Sequence, residues 1–282
     1  MDDDSDLKLQ DPEGTAGDAA RRVWPFLCLS TVASWAVWLW PVEQGRCIHV
    51  AVLGLTIEWP LPNLMGIIGV CLPGIIALIW ALVQGTGEFR ELLATLTRWR
   101  THLTWYALAV GFPSGLFVAS LGVLLLFVPT KLSWPPLSGF LHVVDLPLGL
   151  MWEEIAWRAF ALRRLESRRS RPASALILGL YWAAWHVPIW LTTVTWAGDL
   201  AVVVLLIAAI NTVALSLIFA FLYHRSGQSL PAVILLHFMT NTITGQMPAV
   251  LHDHHILLLG ISMTLCVCMA VLIARRGKWE DG

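Results

Sequence analysis

The residues best placed to do chemistry lie in the stretch Met151-Trp-Glu-Glu-Ile-Ala-Trp-Arg158, where two adjacent glutamates and an arginine interrupt an apolar run. A carboxylate at bilayer depth costs at least ~2.5 kcal/mol on insertion scales, so an intramembrane pair points to function. Glu154 and Arg158, four residues apart, share a helical face to within about 40° and can pair. Glu153 is turned about 100° from Glu154. It is then free to face a cavity while its neighbour stays neutralised by Arg158. A structural ion pair accounts for Glu154 and Arg158 but not for a second buried carboxylate.

Two further segments carry complementary groups. Trp182-Ala-Ala-Trp-His186-Val-Pro188 holds a single histidine among apolar residues, and His237-Phe-Met-Thr-Asn241 sets an imidazole and a carboxamide at i and i+4. Singly, His186 could be a packing residue and His237 with Asn241 interhelical glue. Together with Glu153 they are the parts of a hydrolytic site. A carboxylate and a neutral imidazole can hold and deprotonate a water, while imidazole and carboxamide donors can stabilise a tetrahedral oxyanion. Alternatively, Glu153, His186 and His237 could ligate a zinc ion with one position open for water. The H-E-x-x-H signature is absent, so zinc would rest on tertiary proximity alone. Glutamate-activated water is the favoured scheme, with no cofactor certain.

These groups need elements that place them at one depth. The chain has 282 residues, 57% apolar and 13% charged, a charge fraction about half that of a soluble domain. It is expected to be an all-α polytopic membrane protein. Apolar runs of spanning length fall at 23–42, 61–83, 103–128, 140–162, 172–191, 200–223, 230–250 and 255–274. That gives eight helices in one membrane domain, 23–274, without internal repeat. Counting ~1.5 Å per residue from the inner ends puts Glu153 roughly 15 Å, His186 roughly 21 Å and His237 roughly 12 Å deep. All three reach the middle of a core about 30 Å thick.

Lysines and arginines set the orientation, because cytoplasmic loops hold the positive excess. Fifteen of the eighteen fall on one side, in both termini and in the second, fourth and sixth loops; only Arg46 and Lys131 oppose them, and Arg158 is inside. Both termini should therefore be cytoplasmic, in a multi-pass protein of the cell membrane. The arginine-rich fourth loop is topogenic first, with anionic lipid headgroups as its other use. Residues 1–22, acidic and poor in apolar side chains, should form a disordered cytoplasmic tail, and 275–282 a second one. A net charge of -1 argues against a nucleic-acid partner.

Other polar groups carry less. His252-Asp253-His254-His255 resembles a metal cluster in composition but belongs to the loop between helices seven and eight, as a solvated turn. Asp145 precedes the glutamates by two turns, at the cavity entrance or an interface. Asn211 is assigned to interhelical glue, and His224 with Arg225 to an inner flank. Cys28, Cys47, Cys71, Cys266 and Cys268 show no C-x-x-C spacing and count as small hydrophobes. Trp59, Trp134, Trp190 and Trp196 suit interfacial belts. The total of 16 tryptophans has no functional account from sequence.

The order E-E-x-x-x-R, aromatic-x-x-x-H, H-x-x-x-N on successive spans resembles the CPBP family of intramembrane proteases. That family includes the type II CAAX prenyl endopeptidases and the bacteriocin-processing or Abi proteins. The resemblance covers about residues 140–250. It implies that Glu153 and His186 activate the attacking water, that His237 and Asn241 form the oxyanion site, and that Glu154 and Arg158 support them. It also implies a membrane-associated peptide or lipid-anchored protein as substrate, and membrane lipids as surroundings. Trp182 stands where the family motif usually has phenylalanine. The rival functions are a non-catalytic membrane scaffold or immunity protein, and a small-solute or proton transporter using the buried charges as a relay.

Overall fold

The computed structural model describes residues 12–40, 47–52, 55–133, 149–250 and 254–279. Helices occupy the expected apolar runs. They are α1 (Pro12–Trp38), α2 (Leu61–Gln84), a short connecting α3 (Thr86–Leu96) and α4 (Leu103–Phe127). In the fourth run the chain forms one composite helix: an α-turn α5 (Met151–Glu154), a π-helical segment Ile155–Leu162 and a second α-turn α6 (Arg163–Glu166). Then come α7 (Arg171–Thr193), α8 (Ala201–Arg225), α9 (Leu230–Val250) and α10 (His255–Arg276). Residues 140–148 of the fourth run, with Asp145, lie outside the described residues.

Among the described residues five segments are long and apolar enough to cross a membrane: Asn63–Gln84, Leu103–Phe127, Arg171–Thr192, Ala197–Arg225 and His255–Arg276, with a shorter apolar helix at Val23–Trp38. The protein is an all-α, multi-pass integral membrane protein. Two features depart from the sequence reading. Helix α1 begins at Pro12, so the disordered tail expected through residue 22 is corrected over its second half. Proline in the first turn, Glu13 beside it, and Ala16, Ala19 and Ala20 all favour a helix there. Residues 1–11 lie outside the described residues. Between the first two spans, β1 (Cys47–Val52) pairs antiparallel with β2 (Leu55–Pro60), Val52 opposite Leu55. Ile48, Val50, Val52, Thr56 and Ile57 are β-branched and suit a short hairpin.

The composite helix is the hub. Every residue of its π segment is buried, and it packs on α1, α2, α3, α7, α8 and α9. Arg158 apart, the segment is apolar all round and belongs in such a position, and Ala156, Ala159 and Ala161, each 0% exposed, let its neighbours approach. Gly74 on α2 is one such approach. A Cβ there would stand 2.5 Å from the Trp152 carbonyl oxygen, so α2 abuts the backbone beside Glu153. Gly179 does the same for α7 against α8, where a Cβ would lie 3.0 Å from the Val213 Cα.

Segments that the basic residues assign to one side meet on one face. Arg164 of α6 donates to Gln84 at 2.6 Å and to Glu88 of α3 at 3.0 Å, and Arg163 pairs with Glu91 at 2.9 Å. Burial lowers the Arg164 pKa from the ordinary arginine range, and Glu88 opposes that shift. Arg98 reaches Gln228 at 2.8 Å, His224 meets Glu166 at 2.7 Å, and Trp279 of the carboxyl tail packs edge-on against Phe221. Arg169 lies over the Trp24 ring of α1.

Candidate active site

Glu153 and Glu154 occupy the turn immediately before the π segment. A π-helix adds a residue to each hydrogen-bonded ring and is frequent at functional sites. Glu154 is fully buried and Glu153 is 4% exposed. Despite the change of helical pitch, Arg158 keeps its expected partner, with Nη1 donating to Glu154 Oε1 at 3.1 Å, both side chains fully buried. The guanidinium is held between aromatic faces, 4.3 Å from the Trp182 ring centroid and 4.8 Å from that of Phe219. Those faces supply cation–π attraction where water is absent.

Histidine 237, on α9, joins this pair. Its Nδ1 lies 2.7 Å from the same Glu154 oxygen, which therefore receives both a guanidinium and an imidazole. Glu154 thus links the fourth and seventh spans, a contact that helical spacing within one segment could not reveal. Glu153 turns the other way, toward Trp182 rather than into the cavity that it was expected to face. Its Oε2 accepts from the Trp182 indole Nε1 at 2.9 Å.

Histidine 186 lies one turn further along α7. Its Nδ1 is 2.8 Å from the Trp182 carbonyl oxygen. A carbonyl only accepts, so Nδ1 carries the proton and the neutral ring keeps its lone pair on Nε2. Trp190 stacks on this imidazole, centroids 5.2 Å apart and planes within 6°, and Trp185 packs edge-on at 4.7 Å. Trp190, which the sequence suits to an interfacial belt, lines the site. Trp185 is itself braced by Trp38 at 4.7 Å and Trp157 at 5.7 Å, and its carbonyl accepts from Trp35 Nε1 at 3.0 Å. Several of the sixteen tryptophans thus form the aromatic wall that sets the His186 ring. Trp182 and His237 meet edge to face at 5.4 Å, and Glu153, His237 and Arg158 all act electrostatically on His186.

A cavity of about 260 Å³ opens beside these groups, among α7, α8, α9 and α10. Trp182, His186, His237 and Asn241 line it, with Phe219, Leu215 and Met247 among its apolar walls. Asn241 is exposed within it, one turn beyond His237. Glu153 lies behind Trp182 and is not among the lining residues. Asn211 was assigned to interhelical glue. It lines both this cavity and a smaller contiguous one against α4, and its buried Oδ1 has no hydrogen-bond partner. An uncharged residue in mid-span carried no signal that would have separated these roles.

Among the described residues no group of three His, Cys, Asp or Glu side chains is disposed to hold a metal ion. Glu153 Oε2 and His237 Nδ1 are engaged by Trp182 and Glu154 respectively, so any metal would have to use Glu153 Oε1 and the Nε2 atoms of His237 and His186. His252 and Asp253 of the other histidine-rich stretch lie outside the described residues, while His254 and His255 form the start of α10. Cys28, Cys71, Cys266 and Cys268 are free thiols.

The described fold and site define a helical membrane protein with carboxylates, an arginine and imidazoles joined in its interior. Residues 132–243 match the family model of type II CAAX prenyl endopeptidase Rce1-like proteins, a segment that carries every one of these side chains. The chain is also similar to a CAAX prenyl protease 2 of Methanococcus maripaludis, 23% identical over 119 residues, 41% of this chain and 44% of that protein. It thus spans less than half the length of the curated relative that it matches.

Proposed function

We propose that this chain is an intramembrane endopeptidase that hydrolyses a peptide bond of a membrane-associated or lipid-anchored substrate. The observation that carries this reading is the junction at Trp182, which touches Glu153, Arg158, His186 and His237 at the wall of a mid-membrane cavity. The Rce1-like match over the same residues supports it.

In the proposed reaction a water admitted from the cavity past the edge of Trp182 sits between Glu153 and the Nε2 lone pair of His186, which take one of its protons as its oxygen attacks the scissile carbonyl carbon. The carbonyl oxygen becomes an oxyanion. The Asn241 carboxamide and, when the ring carries both protons, His237 Nε2–H donate to it. Glu154 is the counter-ion that balances such an imidazolium. Collapse of the tetrahedral species breaks the C–N bond, and the proton taken from water passes to the departing amine. The mostly apolar cavity walls suit a lipid-anchored or hydrophobic peptide, with a few polar groups fixing its orientation.

The test is cleavage of a membrane-associated peptide library by the purified protein in detergent or liposomes. Glu153→Gln should accumulate folded and lose about 10²- to 10⁴-fold in rate, the usual contribution of a positioned acid–base group. Activity should survive strong chelators, and chelator loss with metal rescue would return the zinc scheme. Full biological activity of both Glu153→Gln and His186→Ala would mean a scaffold. Flux into proteoliposomes that depends on Glu153, without cleavage, would mean a transporter.

A further inference from the structure

We infer that Trp182 is a positioning residue that sets both members of the water-activating pair, through its indole N–H on Glu153 and its carbonyl on His186. The inference rests on the protease reading for its kinetic consequence but on geometry for its substance. Trp182 is 3% exposed, so its indole N–H requires a partner, and the partner is the Glu153 carboxylate at 2.9 Å. One turn along the same helix its carbonyl takes the Nδ1 proton of His186 at 2.8 Å, which leaves Nε2 as the basic nitrogen. The ring also covers the Arg158 guanidinium and abuts His237.

The two contacts differ in what sequence can change. A backbone carbonyl is present whatever the side chain, so any residue at 182 in this helix can orient His186. Only the indole supplies a donor to Glu153. Phenylalanine, the usual residue of the motif that this segment resembles, would keep an aromatic face over Arg158 but leave that carboxylate oxygen without its donor. A hydrogen bond to a charged group contributes about 1.5–3 kcal/mol. The indole therefore fixes the Glu153 carboxylate in one rotamer behind the cavity wall. Cys71 of α2, Arg158 of the π segment and His186 of α7 are near enough to feel the charge of Glu153, with Glu154 adjacent in sequence. Among the described residues Trp182 is the side-chain donor seen on this carboxylate.

The experiment compares Trp182→Phe with the wild type in the full chain. Turnover should fall about 10- to 100-fold, the factor that corresponds to one charge-assisted hydrogen bond, with KM unchanged because the cavity face of the ring is retained. Wild-type turnover, or a loss confined to KM, overturns the inference. A second reading needs no catalysis: in heat unfolding, Trp182→Phe should cost less in a Glu153→Gln background than in the wild type. Equal costs overturn the inference. Should Trp182→Phe fail to fold, the indole N–H resonances of the wild type and of Glu153→Gln are compared by NMR. Displacement of one indole signal supports the hydrogen bond, and superimposable spectra refute it. If the wild type cleaves nothing, the protease reading fails while the unfolding cycle and the indole signal still judge this contact.

Discussion

Two charge networks in this protein use the same residue types and have different consequences. At the rim, Arg163 and Glu91 meet at 2.9 Å with 28% and 45% of their side chains exposed. In the centre, Arg158 and Glu154 meet at 3.1 Å with nothing exposed. The rim pair is solvated and screened, and a pair of that kind contributes ~0–1 kcal/mol. The central pair has lost its water, and its attraction only offsets the desolvation if every remaining bond is made. Rim arginines are therefore replaceable individually and matter collectively as topology signals. A buried arginine must be matched by a carboxylate, and a second carboxylate beside it demands its own partner. Trp182 and His237 meet part of that demand and draw the chemistry-bearing residues of three spans together, while Glu154 Oε2 and Arg158 Nε and Nη2 stay buried without a hydrogen-bond partner among the described residues.

The contrast can be broken at its strongest point first. Arg158→Met should lower stability by about 3–5 kcal/mol, since Glu154 would be left with a buried charge. Adding Glu154→Gln should recover much of that stability without recovering activity, read by thermal unfolding and peptide cleavage side by side. If the single variant melts like the wild type, the central pair is no more demanding than the rim. Next in size, Gly74→Ala should cost about 1–3 kcal/mol by overpacking α2 against Trp152. Because that contact adjoins Glu153, cleavage should drop more than for an equally destabilising change at the rim. Equal losses at equal stability would detach α2 from the site. Smallest of all, Arg163→Ala should change the unfolding free energy by no more than about 1 kcal/mol and leave cleavage near the wild-type rate. A large loss would mean that α3 and α6 are coupled to the centre.

Much of the site was legible because depth is a one-dimensional property. A run of apolar residues counts distance from the membrane surface, so Glu153, His186 and His237 could be assigned to one layer before any helix was seen beside another. The Glu154–Arg158 pair was legible because both ends lie in one segment. The second bond of Glu154, to His237, crosses between spans and was not. The π segment was invisible too, since Ile155–Leu162 has no proline or glycine to announce a change of pitch. Trp182 was noticed as a substitution of shape, whereas its effect is that of a donor. The tryptophan excess made sense only once Trp182, Trp185 and Trp190 were found around one imidazole.

By itself the sequence determined that this chain is helical, membrane-embedded and equipped with ionisable groups at a shared depth, because hydropathy and the cost of buried charge act on each segment separately. Which group holds which was decided by the tertiary structure alone. Hydrogen bonds extend less than about 3.2 Å, so the pairing of Glu153 with Trp182 and of Glu154 with His237 depends on how whole helices rotate and pack, a property of no single segment.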